Sequence, residues 1–268
     1  MKRVLIICIG CCLHYVAGVV FGLGIEQAIA QANDFANYTE TTDNLNIEMI
    51  AVQGGTFMMG CTSEQGDDCD NNEKPAHQVT VGDFYIGKYE ITTGQYFAVM
   101  LKDVDIPDLS NFPMEIDWYD ALEFIQQLNV QTGKQYRLPT EAEWEFAARG
   151  GNNSRGYKYS GSDTINSVAW YRDNSGGKCN PVGLKPANEL GIYDMSGNVW
   201  EWCSDWYNSY DNPAQPNPQG SSSESSGGIR GGGWNNVASE VRVSYRLINI
   251  GPLFRYYSIG VRLACDSD

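Results

Sequence analysis

Basic residues and histidine are scarce in this 268-residue chain. Lysine and arginine together number 18 against 33 acidic residues, the formal net charge is −15, and there are 2 histidines. A field of that sign repels polyanions, and no cluster of five or more basic residues offsets it, which argues against nucleic-acid binding. The GxSxG, P-loop and HExxH patterns are also absent, so the sequence gives no support for the corresponding hydrolase, nucleotide or zinc-protease sites.

The sequence has no second long apolar run, and the first lies at the N-terminus. The basic start Met1–Arg3 precedes an apolar stretch, Val4–Leu23, and small-residue motifs that end at Ala30 and Ala32 follow. This order is typical of a signal peptide, which we expect to be cleaved after Ala30 or Ala32. An uncleaved anchor is the alternative, since about 20 apolar residues are enough to span a bilayer.

This leader sets the predicted organisation of the chain: a signal peptide at 1–32, a polar, flexible lead-in at 33–46 and a single domain at 47–266. We expect the mature chain to be exported to the periplasm, the cell surface or the medium, with no membrane span after cleavage. Lipidation is the lesser option, because Cys11 lacks a leucine-like residue three positions before it.

Export leaves five cysteines, namely Cys61, Cys69, Cys179, Cys203 and Cys265, with no CxxC among them. That spacing gives no support for a zinc or thioredoxin-type site. Cys61 and Cys69 flank a Gly/Asp-rich loop, so we predict a local disulfide between them in an oxidising compartment. The other three cannot all pair within one chain, and their pairing stays open.

Hydrophobic patterning predicts an α+β domain with few helices. Residues 49–60 indicate two short strands around a Gly-Gly turn, and residues 78–92 alternate as in a hairpin. One helix is predicted to follow Asp117 and to end at Gly133, since these residues are typical N-cap and C-cap residues. A second helix is predicted after the capping box that starts at Thr140.

The chain beyond residue 150 shows little regular periodicity, and residues 212–228 have the composition of a flexible surface insertion. Ordering irregular backbone costs about 1–2 kcal/mol per residue, so specific contacts must hold it in place. We predict that Arg242, Arg246 and Arg262 hold loops through bidentate hydrogen bonds. Three tryptophans are expected in the core, while three further aromatic residues are expected at a surface: the first set is Trp144, Trp200 and Trp202, and the second is Trp206, Tyr207 and Tyr210.

Four segments and a C-terminal coda carry a family resemblance. The segments are GGTFMMG at 54–60, EKPAH leading into KYEIT within 73–92, YRLPTEAEWE at 136–145 and NELGIYDMSGNVWEW at 188–202. The coda begins with RGGGW and ends with IGVR, within 230–262. In this order they resemble the formylglycine-generating-enzyme / sulfatase-modifying-factor family. The resemblance implies that family's variant of the C-type-lectin-like fold, which is low in regular secondary structure.

A calcium site is the first implication of this resemblance. Asp194, Gly197, Val199 and Glu201 match the positions that hold a structural Ca²⁺ in the family. Two carboxylates and two backbone carbonyls within eight residues suit an ion that takes six to eight oxygen ligands. A turn in which Glu201 forms a buried ion pair is the alternative. Independently of the resemblance, Glu141, Glu143 and Glu145 near Arg137 are expected to cap a helix and to pair with Arg149 on its surface rather than to catalyse, because glutamate in a first helical turn suits the helix dipole.

Formylglycine generation is the implication against which this sequence argues. The family's oxidase binds copper(I) with two cysteines shortly after its Gly-Gly-Ser motif, because soft thiolates select that ion. The matching stretch, residues 231–241, contains no cysteine. A related iron-dependent branch uses three histidines, whereas the mature chain has only His77, for which we expect a packing role. We therefore expect neither copper nor iron, and we assign no catalytic residue.

Three functions stay open. The first is a non-catalytic module of the cell envelope that binds a protein or glycan ligand through its C-terminal segment, at Trp234, Asn235, Asn236, Ser239, Tyr256 and Tyr257. Tyrosine, asparagine and serine are favoured in adaptable recognition surfaces. The second is a formylglycine-generating-type oxidase that acts on sulfatase cysteines with an altered metal site. The third is a structural component of an envelope secretion or motility assembly.

Overall fold

The fold is taken from a computed structural model, which describes residues 35–42, 45–101, 110–206, 209–210, 215–216, 227–251 and 258–267. Apart from residues 35–36, these belong to one unit that spans residues 37–268. The predicted signal peptide, Tyr207, Tyr256 and Tyr257 lie outside the described residues. The α-helices are α1 (Thr93–Met100), α2 (Trp118–Thr132), α3 (Glu141–Ala148) and α4 (Ile165–Val168). None of these helices has the length and apolarity needed to cross a membrane.

Twelve strands in the described residues form three sheets. They are β1 (Tyr38–Thr42), β2 (Leu45–Val52), β3 (Gly55–Met59), β4 (His77–Val81), β5 (Phe84–Gly87), β6 (Tyr136–Arg137), β7 (Trp200–Trp206), β8 (Gln215–Pro216), β9 (Gly227–Arg230), β10 (Arg246–Ile250), β11 (Ile259–Gly260) and β12 (Ala264–Asp266). The sheet orders are β1-β2-β5-β12-β6, β10-β9-β7-β11 and β3-β4-β8. The predicted α+β class with few helices is confirmed.

Both predicted helices are confirmed together with their caps. Asp117 Oδ1 accepts the Asp120 amide at 2.9 Å, and Gly133 ends α2 with a φ of 72°. Thr140 forms the reciprocal capping box with Glu143 that starts α3. The sequence analysis missed α1, although Thr92 caps it in the same way. The alternating pattern that precedes Thr92 concealed this start, because it favoured a strand up to that residue.

The predicted hairpin at 78–92 is wrong, because its two strands lie in different sheets. β4 pairs with β3, whereas β5 pairs with β2 and β12. The strands predicted around the Gly-Gly turn also separate, β2 into one sheet and β3 into the other. The two connections meet backbone to backbone, since a Cβ added to Gly54 would come within 2.4 Å of the Gly82 carbonyl carbon. Because Gly54 has no side chain, the connection from β2 to β3 can lie this close to the connection from β4 to β5, and each pair of consecutive strands is divided between two sheets.

The N-terminal boundary also differs from the prediction. The segment expected to be flexible contains β1 and the start of β2, which pair in register from Tyr38 opposite Met49 to Thr42 opposite Leu45. Side chains fix β1 further, because Glu40 accepts a hydrogen bond from Tyr136 at 2.8 Å and pairs with Lys134. Most of the predicted insertion at 212–228 lies outside the described residues, but Gly227 and Gly228 are buried in β9.

Two large apolar clusters form the core. One packs α2 against β2, β7 and β11 and includes Trp118, Phe124 and Trp202. The other packs α3 against β3, β4 and β5 and includes Trp144 and Phe146. All three tryptophans predicted for the core are buried. Tyr210, which was predicted at a surface, is also buried, between His77 and the guanidinium of Arg246.

Candidate functional site

A frame of buried ion pairs holds the C-terminal segment. Four arginines, each at most 2% exposed, pair with four glutamates from earlier parts of the chain. The pairs are Arg230 with Glu145, Arg242 with Glu73, Arg246 with Glu141 and Arg262 with Glu201. The last three are bidentate, which confirms the bidentate hydrogen bonds predicted for these arginines. Irregular chain is thus fixed at defined points without secondary structure.

The carboxylates of the third segment have structural roles: the predicted cap and the pair of Glu145 with Arg149 are confirmed, but Glu141 and Glu145 also form buried pairs with other arginines. Glu143 caps α3 and makes a bidentate pair with Arg137, at 2.7 Å for each contact. Glu145 accepts from Arg149 as well as from Arg230. Burial raises the pKa of Glu141, but the charges of Arg246 and Arg230 outweigh it and keep that pKa below its usual value. A carboxylate held ionised in this way is a poor proton donor.

The predicted calcium ligands are divided between other roles. The Glu201 carboxylate accepts from Arg262 at 2.6 Å and from the Trp144 indole at 2.6 Å, which is the ion pair that the sequence left as an alternative. Gly197 is needed for a close approach, because a Cβ there would lie 2.1 Å from the Trp170 carbonyl oxygen. Asp194 Oδ2 accepts the Gly183 amide, while its buried Oδ1 has no partner among the described residues.

These contacts fit a calcium ion only in part. Asp194 keeps a buried oxygen available, but Glu201 is occupied by a cationic side chain. No group of three or more His, Cys, Asp or Glu side chains within the described ranges is arranged to hold a metal. Burial, with the charge of Glu201 adding to it, raises the pKa of Asp194 to about 6. Calcium binding at these residues therefore stays a prediction.

Asn198 is the point where four loops meet. Its side chain donates to Glu90 at 2.6 Å and accepts the Asn180 amide at 2.9 Å. Its backbone N–H donates to the Trp170 carbonyl, and its carbonyl accepts the Trp234 amide at 2.7 Å. The residue is fully buried with a φ of 63°, a left-handed conformation that asparagine tolerates better than most residues.

Glu90 completes this junction from the loop that precedes α1. Its other oxygen accepts the Val199 amide at 3.1 Å. Burial, and then the neighbouring charges of Asp194 and Glu201, raise the pKa of this carboxyl well above its usual value. Glu90 and Asn198 both lie in segments that carry the family resemblance, but no role was predicted for either residue. The available signal was Asn198 beside Gly197, since both residue types favour positive φ.

The segment after this junction presents the predicted recognition residues. Trp234, Asn235, Asn236 and Ser239 are all partly exposed. The Trp234 carbonyl accepts Ser175 Oγ at 2.9 Å, and its indole N–H lies 3.4 Å from a Glu115 oxygen.

Side-chain hydrogen bonds fix the turn that carries these residues. Asn236 Oδ1 accepts the Gly233 amide at 2.9 Å, and its Nδ2 donates to Glu240 at 2.8 Å. Asn235 Oδ1 accepts from Ser258 Oγ at 3.3 Å. Asn236 therefore works as a turn former, and Trp234, Asn235 and Ser239 remain as the predicted residues that a ligand can reach.

Similarity to known proteins decides the family. The sequence profile of the sulfatase-modifying factor enzyme 1-like domain matches residues 34–267. The chain belongs to this family. The matched range begins before the predicted domain start at residue 47 and includes β1 and the whole of β2.

Relatives of this sulfatase-modifying-factor-like protein include proteins with different names. It is 32% identical over 259 residues to the chaperone protein LppX of Paenibacillus barcinonensis, covering 77% of this chain and 85% of that one. It is 32% identical over 296 residues to the formylglycine-generating enzyme of Streptomyces coelicolor, covering 82% and 89%. The solved structure of Treponema denticola variable protein 1 superposes with a TM-score of 0.75 at 27% identity, covering 86% and 99%. The predicted family and fold are confirmed.

The described cysteines divide into one disulfide and thiols that form none. Cys61 and Cys69 form the predicted disulfide. Cys203 is fully buried, and burial raises its pKa well above the usual value. Burial and the charges of Glu115 and Glu90 raise the pKa of Cys179 to about 11. Both thiols are therefore held in the protonated form.

Proposed function

We propose that this protein is an exported, non-catalytic member of its family, which binds a protein or glycan partner in the cell envelope through the surface at Trp234 and Asn235. The single observation that carries the proposal is the absence of cysteine from residues 231–241, where the family's oxidase holds copper. An asparagine amide cannot replace a thiolate as a copper(I) ligand. The chain keeps the family's fold at this position but lacks the thiol groups that would bind the metal.

The geometry around this surface suits binding. The Glu–Arg frame and Asn198 fix the backbone beneath Trp234, so a ligand would meet a preorganised turn and little ordering entropy would be lost. A partly exposed indole next to amide and hydroxyl groups supplies apolar area together with adaptable hydrogen bonds. One relative supports a binding role by its name, since LppX is called a chaperone.

Export is supported by two independent features. The N-terminal sequence has the order of a signal peptide. The Cys61–Cys69 disulfide suits an oxidising compartment such as the periplasm or the cell exterior.

Site-specific photo-crosslinking in the producing cell tests the proposal. We expect a benzoyl-phenylalanine placed at Asn235 to give one or a few discrete adducts with envelope components. The matched control places the probe at Val130, an exposed residue on α2 outside the surface, where adducts should be absent or at least tenfold weaker. Equal adduct patterns at the two positions would show that no binding surface lies at Asn235.

The same experiment distinguishes the alternatives. Adducts with a stoichiometric secretion or motility complex would favour a structural component. An adduct with a sulfatase, together with turnover of its cysteine, would favour the oxidase with an altered metal site.

A further inference from the structure

The outer edge of β3 differs from the other sheet edges. The three sheets present six edge strands, and natural proteins protect such edges with charge, proline, bulges or short length. Five of the six have such a feature: Glu40 in β1, Arg137 in the two-residue β6, Pro216 in the two-residue β8, Arg246 and a register shift in β10, and only two residues in β11. β3 has five residues, GTFMM, with none of these features.

Backbone hydrogen bonds show which groups of β3 face outward. Gly54 precedes the strand, and its carbonyl accepts from Asn152 Nδ2 at 3.0 Å. Gly60 follows the strand, and its N–H donates to Glu145 while its carbonyl accepts from Arg149. These partners come from outside the β3–β4 ladder, so the even-numbered positions point away from β4. In an antiparallel pair, the outward positions alternate along the strand.

Thr56 and Met58 therefore present their N–H and C=O groups at the open edge. Neither backbone has a hydrogen-bond partner on that side among the described residues. Both ends of the edge are closed by the side chains that bind Gly54 and Gly60, so the open part is limited to these two residues. Two donors and two acceptors at strand spacing match a short extended peptide.

The surface beside this edge carries no charge. The solvent face of β3 and β4 consists of Thr56, Met58, Gln78 and Thr80, and the Met58 side chain is 46% exposed. The opposite face is packed: Phe57 lies 5.3 Å from the ring of Phe146, centroid to centroid, within the second core cluster. The edge is therefore held rigidly and keeps its shape before any partner arrives.

We propose that the β3 edge binds an extended segment of another protein, which adds a strand to the β3-β4-β8 sheet. Such strand addition gains affinity from main-chain hydrogen bonds and specificity from alternate side chains. The net charge of −15 disfavours both an acidic segment and a second copy of this chain, so the bound segment is uncharged or basic. This site is separate from the surface at Trp234.

A synthetic peptide provides the probe: an acetylated and amidated Lys-Thr-Val-Thr-Val-Thr-Lys, titrated against the ¹⁵N-labelled mature protein. We expect saturable shifts of the Thr56 and Met58 amides and slower hydrogen exchange at both. A peptide with N-methyl groups at alternate residues, which cannot complete the ladder, should bind at least tenfold more weakly, and so should a peptide with Glu in place of Lys.

Protein variants give the matched comparison. Thr56→Pro removes the outward N–H and should weaken peptide binding at least tenfold, whereas Thr41→Lys on the edge strand β1 should leave it unchanged. The N-methyl peptide keeps the proposal testable if Thr56→Pro does not fold. Trp234→Ala should not alter peptide binding, so this proposal and the proposed function fail separately. Equal binding of both peptides, or concentration-dependent shifts at Thr56 without peptide, would overturn the proposal, the latter in favour of self-association.

Discussion

Residues 91–148 and residues 227–263 belong to the same domain but are held by different forces. In the first region, helices begin at capping residues and pack apolar faces such as that of Phe124 into the core. In the described part of the second region, much of the backbone is irregular, and four buried arginines fix it to earlier segments. Hydrophobic periodicity stabilises one region, and directional ion pairs define the other. A segment that buried ion pairs hold in place can expose a turn such as that at Trp234, although the turn is not part of a β-sheet.

Breaking one ion pair should have the largest effect. Arg262→Met leaves Glu201 buried without its partner, with Glu90 and Asp194 nearby. Removing one member of a buried pair costs about 3–5 kcal/mol. Arg155→Met, at an exposed arginine, is the control and should change stability by less than about 0.5 kcal/mol. Urea unfolding measures both, and equal effects would mean that the frame does not hold the C-terminal region.

The next largest effect is expected at Asp205, which should make the stability of the protein depend on pH. One of its oxygens accepts the Glu141 amide, and the other is buried without a described partner. Burial, and then the charges of Glu141 and Glu143, raise its pKa to about 7. The protonated Asp205 side chain contributes to the stability of the folded protein. This contribution is fully present below the unfolded pKa near 3.8 and is lost as pH rises through about 7.

Asp205→Asn should therefore stabilise the protein by about 2 kcal/mol at pH 8.5 and by much less at pH 5. Thermal melts at both pH values measure this difference. Asp173→Asn, at an exposed carboxylate, is the control and should give no pH-dependent gain. A gain from Asp205→Asn that is the same at both pH values would contradict the assignment.

The helical region can be tested by removing one cap. Thr140→Ala removes the acceptor of the Glu143 amide at the start of α3 and should cost about 1 kcal/mol. Thr164 occupies the same position before α4 but makes no capping hydrogen bond, so Thr164→Ala should cost little. Urea unfolding of the two variants compares them directly. If Thr164→Ala cost as much, helix capping would not explain the difference.

Calcium has the smallest expected effect, because Glu201 is already occupied by Arg262. We expect calcium to raise the melting temperature relative to chelator by an amount that corresponds to about 1 kcal/mol or less. Magnesium should not substitute, since it requires a smaller octahedral site. Identical melting curves in calcium and in chelator would contradict the predicted calcium site.

Structural features that depend on residues close together in the sequence were predicted correctly. Asp117, Gly133 and Thr140 are local signals, and the helices that they bound were predicted correctly. The roles of Arg242, Arg246 and Arg262 were also predicted, but their partners are more than 60 residues away and have no local signature. The prediction of strand pairing was wrong for the same reason. The contact between Gly54 and Gly82, which separates β4 from β5, is formed between distant segments of the chain.

The candidate surface was predicted in part. Trp234 and Asn235 are partly exposed, whereas Asn236 mainly stabilises the turn. Asn198 and Glu90 could not be assigned from the sequence, because their role is to join four loops that only the folded chain brings together. Tyr210 was placed wrongly, since the stacking of His77 and Arg246 on its ring depends on the same long-range folding.

Incubation of the purified protein with a Cys-x-Pro-x-Arg peptide, copper and oxygen tests the central claim most directly. Mass spectrometry of the peptide reports the result, with an active formylglycine-generating enzyme run in parallel. Because residues 231–241 supply no thiolate to hold copper(I), we predict that the peptide cysteine stays unmodified. Enzyme-dependent formation of the aldehyde would contradict the account.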